Sequence, residues 1–149
     1  MKLTLTIPGE PVAKGRPRFY NGHAITPTKT VNYETLVKEM WAVTHGQQML
    51  AGELCASLTA YFAIPNSKSK AEKKRMLEGI VRPIKKPDID NLIKSVLDSL
   101  NGIAYKDDSQ IVTVTAAKYY SDTPRMELEL WERPQKTEFK PSKFTDPAY

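Results

Sequence analysis

Residues 86–111 read KPDIDNLIKSVLDSLNGIAYKDDSQI. Ile93, Val96, Leu97 and Leu100 recur at i, i+3, i+4 and i+7, the spacing of one helix face, so this stretch predicts a helix over residues 91–100 with that stripe in the core. Asn101-Gly102 ends it, because glycine readily takes the left-handed conformation a helix terminus often needs. Asp90 is expected at the N-cap, where a carboxylate can accept a backbone N–H and is favoured by the positive end of the helix dipole. Asp88 lies two residues earlier in an extended Pro87-Asp88-Ile89-Asp90 run, which would point it to the same side. Asp107-Asp108 follows a turn and opens a strand near Gln110. A helix of ten residues is roughly 15 Å long. The chain must therefore return antiparallel along it if the second acidic pair is to meet the first.

Outward from this helix-turn-strand unit, the other elements follow from periodicity. Leu3, Leu5 and Ile7 alternate with polar residues, predicting a strand over 2–8, and GEPVAKGRPRFY then breaks regular structure. Tyr33, Leu36, Val37, Met40, Trp41 and Thr44 fall at helical spacing over 31–46, ending before Gly46. Residues 53–64 alternate as a long strand, 69–78 form a short basic helix, and 80–87 form a proline-broken connection. Residues 110–120 and 125–132 read as strands, with Met126, Leu128 and Leu130 facing one way. The expectation is an α+β fold, one compact domain over 1–132 with a mixed sheet of about four strands and three helices. The tail, 133–149, holds Pro134, Pro141 and Pro147 without periodicity and is expected to be loose or packed on a partner.

Composition narrows the chemistry. The chain has 149 residues and 40% hydrophobic content, enough for one core, and its start lacks the apolar run of a signal peptide. No stretch approaches the roughly 18 apolar residues of a membrane span, so a soluble, unexported protein is expected. Cys55 is the single cysteine, and His23 and His45 are the only histidines, which excludes an intramolecular disulfide and a cysteine/histidine zinc site. A metal would be held mainly by oxygen, which fits Mg²⁺ or Mn²⁺ bound through a few carboxylates with water or phosphate oxygens completing the shell.

The net charge of +5 is unevenly spread. Residues 1–86 carry 14 Lys/Arg against 6 Asp/Glu, whereas residues 87–149 carry 8 against 11. The run 66–86 contains Lys68, Lys70, Lys73, Lys74, Arg75, Arg82, Lys85 and Lys86, a cluster suited either to phosphate attraction or to a solvated helix face. Lys94, four residues beyond Asp90, either pairs with Asp90 or Asp98 along the helix or stands above the acids to meet a phosphate. Asp98, two turns from the helix start, reads as the most structural of the acids.

The segment resembles the signature of the RusA family of Holliday-junction resolvases. The matching elements are Lys86-Pro87, Asp88, Asp90-Asn91, Lys94, Asp98-Ser99-Leu100-Asn101-Gly102 and Asp107-Asp108-Ser109-Gln110, with Ser99 in place of the usual alanine. Near the start, Pro8, Pro11, Lys14, Arg16, Pro17 and Arg18 match the family's Lys-x-Arg-Pro-Arg run. The resemblance implies a cytoplasmic, often phage- or prophage-encoded, Mg²⁺-dependent endonuclease acting as a homodimer on four-way junction DNA in recombination and repair. It implies catalytic, metal-binding roles for Asp88, Asp90 and Asp108, a further metal role for Asp107, and an essential lysine at Lys94. Lys14, Arg16, Arg18, Lys73, Lys74, Arg75, Lys85 and Lys86 are the expected DNA-binding residues. Two rivals share these features: a non-catalytic binder of branched nucleic acid, and a metal-dependent phosphohydrolase of small nucleotides. The extended basic run disfavours the second.

Overall fold

The structure is a computed structural model, and it describes residues 1–15, 18–26 and 28–135. Six strands and three helices follow in the order β1 (Lys2–Pro8), β2 (Arg18–Tyr20), β3 (His23–Ile25), α1 (Thr28–His45), β4 (Leu54–Ala63), α2 (Lys70–Leu77), α3 (Ile89–Leu97), β5 (Ile111–Ser121) and β6 (Arg125–Glu132). Short 3-10 turns at Asp98–Leu100 and Asp108–Gln110 flank the link between α3 and β5. This is the expected α+β domain with a mixed four-stranded sheet. Among the described residues no helix is long and apolar enough to cross a membrane.

The sheet runs β1-β6-β4-β5. β6 pairs antiparallel with both β1 and β4, while β4 and β5 pair parallel. A parallel pair needs a crossover, and the segment holding α2 and α3 supplies it. Alternation sends Leu3, Leu5, Ile7, Ala56, Leu58, Ala60, Phe62, Met126, Leu128 and Leu130 into the core, where they meet Tyr33, Val37 and Trp41 of α1 and Leu92 and Val96 of α3. Thr4, Thr6, Ser57, Thr59, Glu127 and Glu129 line a shallow polar hollow on the sheet. The end of α1 is fastened twice: His45 Nε2 bonds Thr4 O at 2.7 Å, and Trp41 Nε1 donates to Gln48 O at 3.2 Å. Gly46 follows at φ 63°, the left-handed terminator expected there.

Three local expectations need correction. The buried stripe of α3 includes Leu92 and Ser95, with Ile93 only half-buried, because the face that turns to the core is centred on Leu92, Ser95, Val96 and Ser99, which recur at the same three- and four-residue steps. Thr44 is exposed and turns its hydroxyl back to Met40 O at 2.7 Å instead of entering the core. The segment read as irregular contains a two-stranded hairpin, β2–β3. Ser99, the departure from alanine, is buried and satisfied: its hydroxyl donates to Ser95 O at 2.6 Å. Of the tail, Arg133 is tied to Glu53 by its backbone N–H (2.8 Å) and guanidinium (3.3 Å), and residues 136–149 lie outside the described residues.

Candidate active site

Asp88 occupies the N-cap of α3, with extended backbone (φ −67°, ψ 151°) and its carbonyl accepting from Leu92 N–H at 3.1 Å. Asp90 stands in the first turn, not at the cap as expected. The helix starts as soon as Pro87 allows, and an acid in its first turn is favoured by the unpaired N–H groups there. The Asp88 carboxylate makes no capping hydrogen bond. An aspartate is among the best capping residues, so its exposed carboxylate stands free for another role.

The polar face of α3 forms one wall of a groove of about 470 Å³, lined by Lys14, Asp88, Asp90, Asn91, Lys94 and Asp98. Asp90, Lys94 and Asp98 follow one another at four-residue steps, so they stack along one side of the helix. A second hollow of about 530 Å³, lined by Ala13, Lys86, Pro87, Asp88 and Asn91, shares Asp88 and Asn91 with the first. The two adjoin at Asp88 and Asn91 as one trough, lined by Lys14, Lys86 and Lys94 together with Asp88, Asp90 and Asp98. Lys14 enters from the segment after β1, its Nζ 2.8 Å from Asp98 Oδ2.

The second acidic pair does not converge on the helix start. Asp108 is hydrogen-bonded through its side chain to Asp98, at the C-terminal end of α3, and its backbone N–H donates to Asn101 Oδ1 at 2.8 Å. Asp90 and Asp98 are separated by about 12 Å of helix rise. The connection is also too tight to carry Asp108 back along the helix. Gly102, at φ 73°, donates to Tyr105 O at 2.7 Å, and the buried Tyr105 hydroxyl donates to Leu97 O, closing the turn directly under the helix end. Asp107 is engaged locally: its carboxylate accepts from Ser109 N–H at 3.1 Å while Gln110 Oε1 accepts from Asp107 N–H at 3.1 Å, a capping box on the 3-10 turn.

Electrostatics follow from these contacts. The Asp108 carboxyl is raised above its ordinary value by its hydrogen bond to Asp98, by burial and by the charges of Asp98 and Asp107. Asp98 is pushed upward by burial, but Lys14, Asp108 and the charge of Lys94 overcome this and hold it below the usual carboxylate value. Lys14 is raised, chiefly by its bond to Asp98. The contact between Asp98 and Asp108 thus pushes the two carboxyls to opposite sides of their ordinary value. Asp107 is lowered by its bonds to Ser109.

The approach to Asp88 is anchored on the sheet edge. Arg82 lies over the Tyr119 ring at 4.0 Å and donates from Nε to Lys118 O at 2.9 Å, and Lys118 Nζ donates to Lys85 O. Arg82 is therefore a structural member of the basic run. Of the expected DNA contacts, Lys74, Arg75, Lys85 and Lys86 are exposed, Lys73 is half-buried, and Lys74 stands 3.9 Å from Glu78. Lys14 is half-buried in the groove, Arg16 lies outside the described residues, and of Arg18 the structure describes only the backbone in β2. Sequence reading missed Asp98 and Asn91 as groove residues. Asp98's signal was its position, eight residues beyond Asp90 and four beyond Lys94, on the face already singled out.

Among the described residues, no group of three or more Asp, Glu, His or Cys side chains is arranged as a metal cage. The donors present still suit a hard cation. Asp88 and Asp90 are exposed oxygen donors at one helix start, and Mg²⁺ is commonly held by one or two carboxylates with waters and substrate phosphate oxygens as the other ligands.

Two comparisons with known proteins bear on this geometry. An uncharacterized protein of Bacillus subtilis (strain 168), YqaN, is 37% identical over 136 residues, covering 87% of this chain and 96% of that protein. The family model of endodeoxyribonuclease RusA matches residues 8–131, a span that runs from the end of β1 through the trough and the whole crossover into β6. With the match extending over the acids of α3, Lys14 and the Asp107-Asp108 turn alike, the chain belongs to the RusA endodeoxyribonuclease family.

Proposed function

We propose that this protein is a Mg²⁺-dependent, structure-selective endodeoxyribonuclease that resolves four-way DNA junctions by paired symmetric nicks, working as a homodimer in DNA recombination and repair. Family membership supports the class, a nuclease cutting DNA at junctions. The observation that carries the site is the free carboxylate of Asp88 at a helix N-cap, in one trough with Asp90, Lys94 and Lys14.

In this reading Asp88 and Asp90 are the metal-binding acids at the start of α3, and Asp108 stays at the far end of the helix, where it bonds Asp98. Asp107 is left to its cap. A bound Mg²⁺ supplies a water of lowered pKa and neutralises charge on the phosphate. The chain's own residues do the rest. Lys86 flanks one end of the trough, and Lys14 and Lys94 line the other part, so a phosphate seated there meets cations from two sides. Lys94 stabilises charge developing on the phosphoryl oxygens, a term that grows where water is excluded. Asp98 holds Lys14 in the trough by its 2.8 Å ion pair. Two identical sites related by a two-fold axis match the two symmetric cuts a four-way junction requires.

The decisive experiment incubates the protein with an end-labelled four-way junction and with the linear duplex of the same sequence, with and without Mg²⁺, and reads the products on a denaturing gel. Paired nicks in the junction with Mg²⁺ are expected. Binding without any nick in Mg²⁺ or Mn²⁺ would assign the chain to the non-catalytic binders.

A further inference from the structure

The hairpin β2–β3 begins four residues after Lys14 in the chain and has no place in the chemistry above. Tyr20 and His23 flank a two-residue loop, Asn21-Gly22, whose φ angles of 49° and 80° are both positive, the pattern of a type I′ turn. Its aromatic side chains are not used to build a core: Phe19 is 81% exposed and Tyr20 67%, with Ile25 at 49%. A two-stranded hairpin is marginally stable on its own in water, so large aromatics kept in solvent on both faces add nothing to its folding.

Its surroundings are one-signed. Between Glu10 and Glu34 the sequence has Lys14, Arg16, Arg18 and Lys29 and no acid. The segment that carries the hairpin is tied at its ends, because Gly15 N–H donates to Thr30 Oγ1 at 2.8 Å directly after Lys14, which bonds Asp98 in the trough. Phe19 is five residues from Lys14, so it lies within about 18 Å of chain from the groove. That is about five base steps along a strand whose phosphate the groove holds.

We infer that this hairpin is a stacking finger: Phe19 and Tyr20 pack against unpaired or splayed DNA bases at the branch point while the basic segment around it follows the backbone. The inference rests on the reading of the trough as a DNA site and adds the element that recognises branched over linear DNA. Aromatic side chains on a positively charged track are the general means of holding unstacked bases, since every base presents a π-face. A continuous duplex offers no such face, and only a branched or open structure does. The finger therefore supplies selectivity, whereas the basic segment supplies affinity for any DNA.

The test measures affinity for a four-way junction and for the matching duplex, both without Mg²⁺ so that no cutting occurs, using fluorescence anisotropy. A second junction carries 2-aminopurine at the branch point, whose emission reports stacking. Phe19→Ala and Tyr20→Ala should each lower the junction-to-duplex affinity ratio by about tenfold, the scale of one lost base–aromatic stack. They should also abolish the wild-type change in 2-aminopurine emission, and Phe19→Trp should preserve both. An unchanged ratio in both alanine variants overturns the inference, and so does a conversion of dimer to monomer in sedimentation, which would make the hairpin a contact between subunits. Failure of the nuclease reading appears elsewhere, as wild-type protein that makes no nick in Mg²⁺.

Discussion

The acidic segment and the basic arm face each other across one groove, yet they are held in different ways. Residues 88–110 are bound from within. Tyr105 bonds Leu97, Gly102 bonds Tyr105, Asp108 bonds Asn101, Asp107 caps its own turn, and Gln110 Nε2 reaches Gly52 O at 3.1 Å. The arm from Lys14 to Ile25 meets the body through Gly15–Thr30 and Lys14–Asp98 and carries an exposed hairpin. Asp107 and Asp108 are thus held in place by bonds within the segment, while the Asp88 carboxylate at the helix start makes no capping bond. The hairpin instead leaves Phe19 and Tyr20 exposed to solvent.

The largest expected effect breaks the acidic side alone. Asp88→Asn or Asp90→Asn should lower nicking of a four-way junction by a hundredfold or more, the order seen for loss of one charge-stabilising group. Junction binding should be unchanged or tighter, because a repulsive carboxylate is lost. Wild-type nicking by either variant in Mg²⁺ would remove these residues from the metal site.

The next sharpens the line between chemistry and packing. Lys94 is exposed and stands between Asp90 and Asp98 on the helix. If it served only as a surface ion-pair partner, Lys94→Ala would cost about 0.3–0.5 kcal/mol and leave cleavage intact. The expected result is a single-turnover rate lowered about a hundredfold, with Lys94→Arg rescuing poorly, because a planar fork does not replace a compact ammonium. Rates measured with saturating protein separate this from binding.

The smallest effect concerns the join between the two regions. Asp98 is held below its ordinary value, so its contribution to stability is present above about pH 4 and lost as pH falls through its folded pKa. Lys14 is raised, so its contribution is complete below about pH 10.4 and lost as pH climbs through its folded pKa. Asp108, raised, works the other way, and its share declines as pH rises above about 4. The Lys14–Asp98 pair is partly exposed, so solvent keeps it within about 1 kcal/mol. Lys14→Met should therefore unfold at a slightly lower temperature than wild type between about pH 5 and about pH 9, the flat window between the titrations of these two groups. The difference should disappear in strong acid, as followed by thermal circular dichroism. A difference that grows in acid contradicts the pairing.

Much of this was legible because it is local. The strand over 2–8, the long strand β4, the helix before Gly46 and the helix before Asn101-Gly102 all follow from apolar spacing and a terminating glycine. The acids and Lys94 were marked by their spacing along one helix. The hairpin escaped because Arg18–Tyr20 and His23–Ile25 are too short to show alternation, and because their apolar side chains bury nothing. Its Asn-Gly turn was the available signal.

Sequence by itself determined which faces of each element are apolar, where each helix stops, and that any metal must be held by oxygen. These depend on residues a few positions apart and on which donor atoms the chain possesses. Only the tertiary structure decided that β4 and β5 pair parallel across the crossover, and that Lys14 finds Asp98 across 84 positions. It also decided that Asp108 joins the far end of α3 instead of its start. Contacts between distant residues are selected by how the core packs as a whole, and no local period records them.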